Sequence, residues 1–471
     1  MKKTICWFRY DLRLADNPAF AYAAENGTVI PAFILDDTDR PMGAATKWWL
    51  HHSLTALSNS LGGLVILRGN PLEELRKLAK DTNAESLAWN RCYEPHSVQR
   101  DKKIKTTLRS ASLEINSFKG SVIYEPWEIK TGSGGPYKVY TPFWKAVQAK
   151  GFPVPLPASD FRLGDIMGLG IRLDELQLIP RKLDWTSGWE RPWNPGEAGA
   201  ANQLEKFLAN GAAGYGELRN RPDLSNVSRL SPHLHFGEIS PRQICAKSAF
   251  ASAADIQIAD DIKKFQSEIV WRDFANHLLF HFPEIPEKNW KPAFDAYPWQ
   301  ENEEGFTAWQ RGMTGYPMVD AGMRELWNTG YMHNRVRMLV ASFLVKHLRI
   351  HWREGEAWFW DTLLDADLAN NTASWQWVAG SGADASPYFR VFNPISQGPK
   401  FDPNGDYVRK WCPELSALPT NLIHAPFKVD DATLATAGVQ LGKTYPHPIV
   451  DHKKARQAAL EGYEAVKNNM Y

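Results

Sequence analysis

Cysteine is scarce in this chain: Cys6, Cys92, Cys245 and Cys412 are the only thiols in 471 residues. No two are close, so no CxxC redox pair, zinc-ligand spacing or iron–sulfur ligand set exists. That usage fits a reducing compartment. Long apolar runs are missing too. The stretch 338–345 is among the longest, flanked by Arg337 and Lys346, and far below the roughly 20 residues a membrane helix needs. The N-terminus, MKKTICWFRYDLRL, holds an apolar run of only four residues, too short for a signal peptide. A cytoplasmic protein with no membrane segment is expected. Charge of one sign is also absent. Against 54 Lys and Arg stand 53 Asp and Glu, a net +1, so any nucleic-acid binding must rest on a local basic patch. No G-x-G-x-x-G follows the first apolar strand; Phe8-Arg9-Tyr10-Asp11-Leu12-Arg13 stands there. A dinucleotide site of the usual kind is therefore not expected. His277 and His281 have metal-ligand spacing but no accompanying Glu or third ligand. Two packed histidines, and no metal, is the stronger reading.

Tryptophan, by contrast, is abundant: there are 20, about three times the share of an ordinary globular chain. Position must decide between a Trp-rich core and roles in stacking or electron hopping.

The length allows about two to four domains. Residues 1–124 alternate strand and helix. Apolar strands are expected at 5–8, 29–35, 64–68, 86–89 and 113–118. Asn17 and Pro18 open a helix that Gly27 closes. Further helices are expected at 46–61, ended by Gly62 and Gly63, at 71–82 and at 95–110. This is the pattern of a five-stranded parallel sheet. Residues 125–198 are punctuated by Gly132, Gly134, Gly135, Pro136, Pro153, Pro155, Pro157, Pro192 and Pro195. They read as a linker with one short helix at 142–149. From 199 to 471 helical periodicity dominates, at 201–209, 241–253, 258–281, 317–329, 332–348, 354–363, 366–378 and 452–467.

The densest chemistry lies in 365–394, DADLANNTASWQWVAGSGADASPYFRVFNP. A helix is compatible with it up to Gly380, which with Gly382 ends it; Pro387 keeps it ended. Asn371 and Trp375 share a helix face, and Trp377 points elsewhere. Asp365, Asp367, an amide and two indoles make a poor apolar core and suit a flat, polar-edged aromatic cofactor. Tyr215 and Ser228-Arg229-Leu230-Ser231, just before Pro232, offer hydroxyls and backbone amides to a phosphate. By itself this segment is more simply an N-cap with a surface Arg. Glu268, Trp271 and Arg272 share a helix face. A buried Glu beside a Trp is costly unless it serves something; the plainer reading is an amphipathic helix with an i,i+4 pair. Asn334, Arg337 and Met338 share another face and Arg335 lies off it, which a solvated basic face explains equally well. Nothing in the spacing of Trp309, Trp352 and Trp375 shows that they touch.

Taken in order, these segments resemble the photolyase/cryptochrome family of flavoproteins over nearly the whole chain. The resemblance starts at Trp7-Phe8-Arg9 and Asp11-Leu12-Arg13-Leu14. It runs through Gly315-Tyr316-Pro317, Val319-Asp320-Ala321, Met332 to Met338, Trp352-Arg353-Glu354-Gly355-Glu356 and 375–394, and ends near Lys443-Thr444-Tyr445-Pro446. The WWLHHSL, GGPYKVYTPFW and EKNW segments look most like the class III bacterial cyclobutane pyrimidine dimer (CPD) photolyases, the branch nearest plant cryptochromes.

The resemblance implies a Rossmann-like α/β N-terminal domain that binds an antenna chromophore, followed by a large all-helical C-terminal FAD-binding domain. It implies that Tyr215, Val227 (where the family often has Thr), Ser228, Arg229, Leu230 and Ser231 hold the FAD phosphates and ribityl chain. Arg272 and Arg337 would flank the flavin, with Arg337 paired to Asp365, and Asp367 would accept from the flavin edge. Asn371 would face flavin N5, where plant cryptochromes carry Asp, and donate to a reduced anionic flavin without adding negative charge. The implied activity is light-driven splitting of pyrimidine dimers flipped out of damaged DNA. Trp271 and Trp377 would wall the pocket, Glu268 and Asn334 would hydrogen-bond the bases, and Met338 would contact them. Arg219, Arg335 and Arg390 would take backbone phosphates with Gln397 nearby, which predicts salt-sensitive DNA binding. Trp375, Trp352 and Trp309 match the family's chain that reduces FAD from the surface.

For the antenna, Ser97 stands where one common class has a folate-binding Glu, and Asp36 is the expected substitute carboxylate. The expected chromophore is 5,10-methenyltetrahydrofolate, with 8-hydroxy-5-deazaflavin as runner-up. The implied protein is a monomer. Two rivals remain. A (6-4) photolyase needs a His where Asn334 stands, and His333 lies on a different helix face. A cryptochrome-type receptor without repair activity commonly adds a long tail, whereas this sequence stops at Tyr471, just after the 452–467 helix.

Overall fold

The first strands are near-continuous apolar runs, as a parallel sheet covered on both faces requires. In the computed structural model, which describes residues 2–110, 113–180, 186–190, 192–384 and 389–468, they are β1 (Lys3–Phe8), β2 (Thr28–Asp36), β3 (Val65–Gly69), β4 (Ser86–Asn90) and β5 (Glu114–Phe118). They form a parallel sheet in the order β3-β2-β1-β4-β5, with Ile5 opposite both Ile30 and Leu87. The expected five-stranded sheet is thus present, and it gains a member. β6 (Arg162–Leu163) pairs in parallel with Thr28 and Val29 at the start of β2. Two residues carry no periodicity, so this strand, which rises from the Pro-rich stretch, was invisible to pattern reading. One face buries Ile5, Trp7, Ile30, Leu87, Trp89 and Ile104, with Trp7 and Trp89 edge to face at 5.8 Å.

The flanking helices follow their capping signals. Asn17 accepts from the Phe20 N–H, with Pro18 opening the helix Pro18–Glu25. Ala44–Leu61 ends at Gly62 in the left-handed region, φ 73°. Gly27, at φ +128°, admits no side chain, because a Cβ would lie 2.3 Å from the Lys2 carbonyl oxygen.

Two compact units emerge. The first comprises Met1–Ala213, Ser228–Pro283 and Leu364–Ala369. Beyond the sheet it holds the helices Tyr140–Lys150, Glu197–Asn210, Ser231–His235, Pro241–Ala254 and Ala259–His281. The second comprises Gly214–Val227, Glu284–Leu363 and Asn370–Tyr471 and is helical among its described residues. There the structure departs from the periodicity in three places. The helix expected at 332–348 begins at Asn334, because His333 caps it by accepting the Arg335 N–H at 3.2 Å. Its end is a π turn, Phe343–His347, in which the Leu348 N–H reaches back to the Phe343 carbonyl at 3.1 Å. The helix expected at 366–378 starts at Leu368, so Asp365 and Asp367 sit in the turn before it. Pro387 lies outside the described residues. Glu303–Gln310, Pro394–Phe401, Asp406–Trp411 and Asp431–Thr436 are helices too short for the periodicity window to find. No helix among the described residues is long and apolar enough to cross a membrane.

His277 and His281 are packed against backbone. Nε2 of His277 accepts from the Tyr137 N–H at 3.1 Å, and Nε2 of His281 meets the Pro126 carbonyl at 3.0 Å. Burial, with His281 beside it, pushes His277 down to about 4. Burial first, then neighbouring cations, pushes His333 down to about 3, and burial with His452 does the same to His347. Unfolded, each titrates near 6.5. Between pH 6.5 and these depressed values the unfolded chain binds more protons, so stability is complete above pH 6.5 and falls as pH falls. Each histidine then contributes a loss of about 1.4 kcal/mol per pH unit as an upper figure. Melts at pH 7.5, 6.0 and 5.0 should show Tm falling steeply below 6.5. A flat profile between 7.5 and 5.0 would contradict the neutral burial of these rings.

Candidate active site

In the first unit the segment Ser228–Ser231 is held by its own backbone. The Ser228 carbonyl accepts from Gln203 Nε2 at 2.8 Å, and Ser228 Oγ accepts from the Leu230 N–H at 3.4 Å. Arg229 adopts φ 52°, a left-handed conformation that costs a non-glycine residue about 1 kcal/mol. Its guanidinium lies 4.6 Å over the Trp193 ring. The helix that Ser231 opens is only five residues long. A macrodipole at its N-terminus is therefore weak, and what the segment offers an anion is the turn itself.

The helix Ala259–His281 carries three expected site residues. Glu268 follows the plainer sequence reading, an i,i+4 pair on an amphipathic helix: its side chain is 26% exposed and pairs with Lys264 at 3.2 Å. This i,i+4 pair points back along the helix, away from Arg272. Arg272 donates to the carbonyls of Ser121 and, at 3.4 Å, Leu234, which ties a loop to the short helix Ser231–His235. Trp271 is half-buried and stacked on Tyr140, with centroids 3.6 Å apart at 12°.

Asp365 and Asp367 form a negative end. Burial pushes the buried His235 down, and Asp367 and Asp365 pull it back only in part. Burial and then Asp367 push Glu94 up to about 7. Nδ1 of His235 is buried with no hydrogen-bond partner, an orphaned polar atom beside the two aspartates. Asp36 is not open to a ligand in the way its sequence position promised. One oxygen accepts from the Thr38 amide and hydroxyl, and the other accepts from Arg100 at 2.9 Å. Burial raises its pKa, but Thr38 and Arg100 outweigh that and leave it lowered.

In the second unit Asn371 and Trp375, on the helix Leu368–Ala379, are buried on one face, as the spacing predicts. The amide is already engaged: Asn371 Nδ2 donates to the Glu356 carbonyl at 3.0 Å and to Glu356 Oε1 at 2.9 Å. The expectation of a donor toward N5 meets an amide whose nitrogen is held by Glu356. The group Asn371 has left is the acceptor Oδ1. Trp375 packs edge-on against Trp309 at 6.3 Å and Phe359 at 5.0 Å. Trp352 donates Nε1–H to Asn289 at 2.9 Å, and Trp309 donates to the Val340 carbonyl at 3.0 Å.

Trp309 is 0% exposed, so it cannot be the solvent end of an electron chain. Trp299 is half-exposed, and the His351 ring lies between it and Trp352, 4.8 Å from one and 5.6 Å from the other. Sequence reading missed Trp299 because it lies outside any helical period, directly after Pro298.

Asn334 is exposed, and Arg337 and Met338 are half-buried, at the start of their helix. Arg337 Nε donates to the Met332 carbonyl at 2.7 Å. Arg335 donates to Asn220 at 2.6 Å and lies 4.6 Å over the Phe401 ring. Burial lowers its pKa first, and the positive charges of Arg219 and Arg390 lower it further. Arg219 lies 5.8 Å from the buried Tyr215 ring, and Lys346 donates to the Arg390 carbonyl. Val227 and Gln397 are half-buried. His333, capping the helix and pushed down to about 3, is neutral at physiological pH and has no proton to spare as an acid.

A parallel α/β sheet domain and a helical FAD-binding domain define a two-part flavoprotein. The family model described as DNA photolyase matches residues 4–160, and that described as the FAD binding domain of DNA photolyase matches residues 265–465. The chain belongs to the photolyase/cryptochrome family. A deoxyribodipyrimidine photo-lyase of Agrobacterium fabrum is 52% identical over 470 residues, 98% of each chain. Cryptochrome-2 of Arabidopsis thaliana is 37% identical, over 97% of this chain and 78% of its own. The crystal structure of a bacterial class III photolyase from Agrobacterium tumefaciens superposes with a TM-score of 0.95 at 50% identity, over 99% of this chain and 98% of that one.

Proposed function

We infer that this chain is a deoxyribodipyrimidine photo-lyase that splits cyclobutane pyrimidine dimers in DNA under light. The observation that carries the reading is the 52% identity, along 98% of both chains, to a protein of that name. The orphaned Nδ1 of His235, beside Asp365 and Asp367 in the first unit, is a buried polar atom that suits the polar edge of a flavin. When bound, FAD in its reduced form supplies the light-excited electron that opens the dimer and then takes the electron back.

The chain's own residues bind, orient and exclude water. Tyr215, Val227, Ser228, Arg229, Leu230 and Ser231 hold the phosphates and ribityl chain, and Arg272, Arg337, Asp365 and Asp367 hold the flavin ring. Asn371, fixed by Glu356, offers Oδ1 to an N–H and adds no charge. A damaged pair is cheap to unstack, and Trp271 and Trp377 stack on the flipped bases at about 1–3 kcal/mol each. Glu268 and Asn334 hydrogen-bond the bases, and Met338 packs on them. Arg219, Arg335 and Arg390, with Gln397, take phosphates; an anion at Arg335 offsets the repulsion that Arg219 and Arg390 exert on it. Trp375, Trp352 and, as the outer member, Trp299 pass electrons inward.

The functional division is 1–124 for the antenna domain, 125–198 for the linker and 199–471 for the FAD domain. The antenna is 5,10-methenyltetrahydrofolate, or else 8-hydroxy-5-deazaflavin. With its oxygens engaged, Asp36 acts there through Arg100 and Thr38. The protein works as a cytoplasmic monomer on damaged DNA. The neutral His333 disfavours the (6-4) alternative. The 37% identity to a plant cryptochrome keeps a light-receptor reading alive, and one experiment separates the two. A thymine-dimer oligonucleotide is given to the flavin-loaded protein with reductant, in blue light and in the dark. Thymine recovered only in the light is the expected result. No recovery, with the flavin photoreduced normally, would favour the receptor.

A further inference from the structure

Trp271 stands on a helix surface and is only half-buried, where an indole would ordinarily sample several rotamers. Here it does not stand by itself. Tyr140, the first residue of the helix Tyr140–Lys150, lies flat against it, with centroids 3.6 Å apart and planes 12° from parallel. The Tyr140 ring is fixed in turn from two sides. Its hydroxyl donates to the Ser267 carbonyl and lies 2.9 Å from Ser267 Oγ, one turn before Trp271 on the same helix. Phe274 meets both rings edge-on at 5.7 Å. Ser267, Trp271 and Phe274 are spaced i, i+4 and i+7, so they line one helix face, and Tyr140 spans all three.

We propose that Tyr140 is a positioning residue for dimer recognition: it backs one face of Trp271 so that the other is held ready for the flipped pyrimidine pair. This rests on the repair reading, in which Trp271 stacks on substrate. An immobilised side chain has already lost the rotamer freedom that binding would otherwise remove, and a stacked base gains only where the ring plane is held. The hydroxyl sets the register of the Tyr140 ring along the helix; the ring supplies the backing. Damaged DNA, which places bases on Trp271, depends on the pair. Undamaged duplex, which meets only backbone contacts, does not.

The test is a double-mutant cycle on the full-length flavin-loaded protein. Fluorescence anisotropy is read with a thymine-dimer oligonucleotide and with its undamaged counterpart. Tyr140→Leu should weaken dimer binding about five- to tenfold and leave undamaged binding within about twofold. Tyr140→Phe, which keeps the ring, should retain at least about half the dimer affinity. In a Trp271→Ala background, Tyr140→Leu should add nothing. Flavin content and Tm check the fold; if Leu lowers either, Tyr140→Met, whose flexible side chain fills irregular gaps, takes its place in the cycle. The proposal is overturned if Tyr140→Leu binds dimer as wild type does, weakens both DNAs equally, or weakens the Trp271→Ala protein further. Wild-type affinity in Trp271→Ala itself would also overturn it, because Trp271 would then not touch the dimer. Failure of light-driven repair with the coupling intact would sink the enzyme reading and leave the stacking pair standing.

Discussion

Asn371→Asp should lose stability in a pH-dependent way, by about 2–4 kcal/mol at pH 8 and much less at pH 5. In the wild type the Asn371 amide donates twice to Glu356, at 3.0 Å to its carbonyl and 2.9 Å to its carboxylate, and both residues are buried. Aspartate removes both donors and puts a second carboxylate where the amide stood. Two charges about 3 Å apart at an effective dielectric near 20 repel by on the order of 5 kcal/mol, so the pair holds one proton between them. Its folded pKa is then raised above the unfolded value near 4. Stability is full below pH 4 and is lost as pH rises toward the raised value. The gap in Tm between variant and wild type should therefore widen from pH 5 to pH 8, the reverse of the histidine trend in the wild type. A gap that does not change with pH would mean that the amide is not donating to Glu356.

Gly355→Ala should be the most disruptive methyl in the second unit. A Cβ there would sit 2.1 Å from Trp375 Cη2 and 2.6 Å from Leu344 Cδ2. Helix propensity pulls the other way, since Ala is favoured over Gly by about 1 kcal/mol in a helix interior. The overlap wins because Trp375 has nowhere to go: it is 2% exposed and boxed in by Phe359 and Trp309. Overpacking of this kind costs about 1–3 kcal/mol, sometimes more, so a net loss of up to about 2 kcal/mol is expected. The larger effect should be on flavin photoreduction, slowed at least about tenfold if the indole shifts enough to add about 1.4 kcal/mol to its step. Thermal melts and photoreduction under blue light read the two effects. An Ala variant with unchanged Tm and unchanged photoreduction would show that Trp375 does not rest on Gly355.

What could be read from the sequence was what is local. The Asn17 cap, Pro18, the left-handed Gly62 and the apolar runs of β1 to β5 announce themselves within a few residues. So does the shared face of Asn371 and Trp375. What could not be read is what lies across the chain. Glu356 is 15 positions from Asn371 on another helix, so the partner of the amide was invisible. Arg100 reaches Asp36 across 64 positions and takes the carboxylate that looked available. Lys264 competes with every other partner for Glu268 from only four residues away, yet the choice among nearby cations depends on which side of the helix is wet. Which tryptophan could meet solvent was not legible either, because exposure, which separates the buried Trp309 from Trp299, is a tertiary property. Arg219, Arg335 and Arg390 come from three separate segments, and only the fold lets the first and last act on the charge of the second.

The π turn at Phe343–His347 has a consequence for how this chain could tolerate insertions and deletions. A turn with i→i+5 bonds is what one extra residue makes of an α-helix, and it rotates everything downstream relative to everything upstream. Before it, Asn334 and Met338 keep their open aspect. At its end, Lys346 reaches the Arg390 carbonyl and His347 meets His452 at 2.9 Å. Losing one codon between 343 and 347 would leave a smoother helix and a mis-aimed one, with the lysine and the histidine turned away from both partners. The length of this segment is therefore under tighter constraint than the identity of any single residue within it.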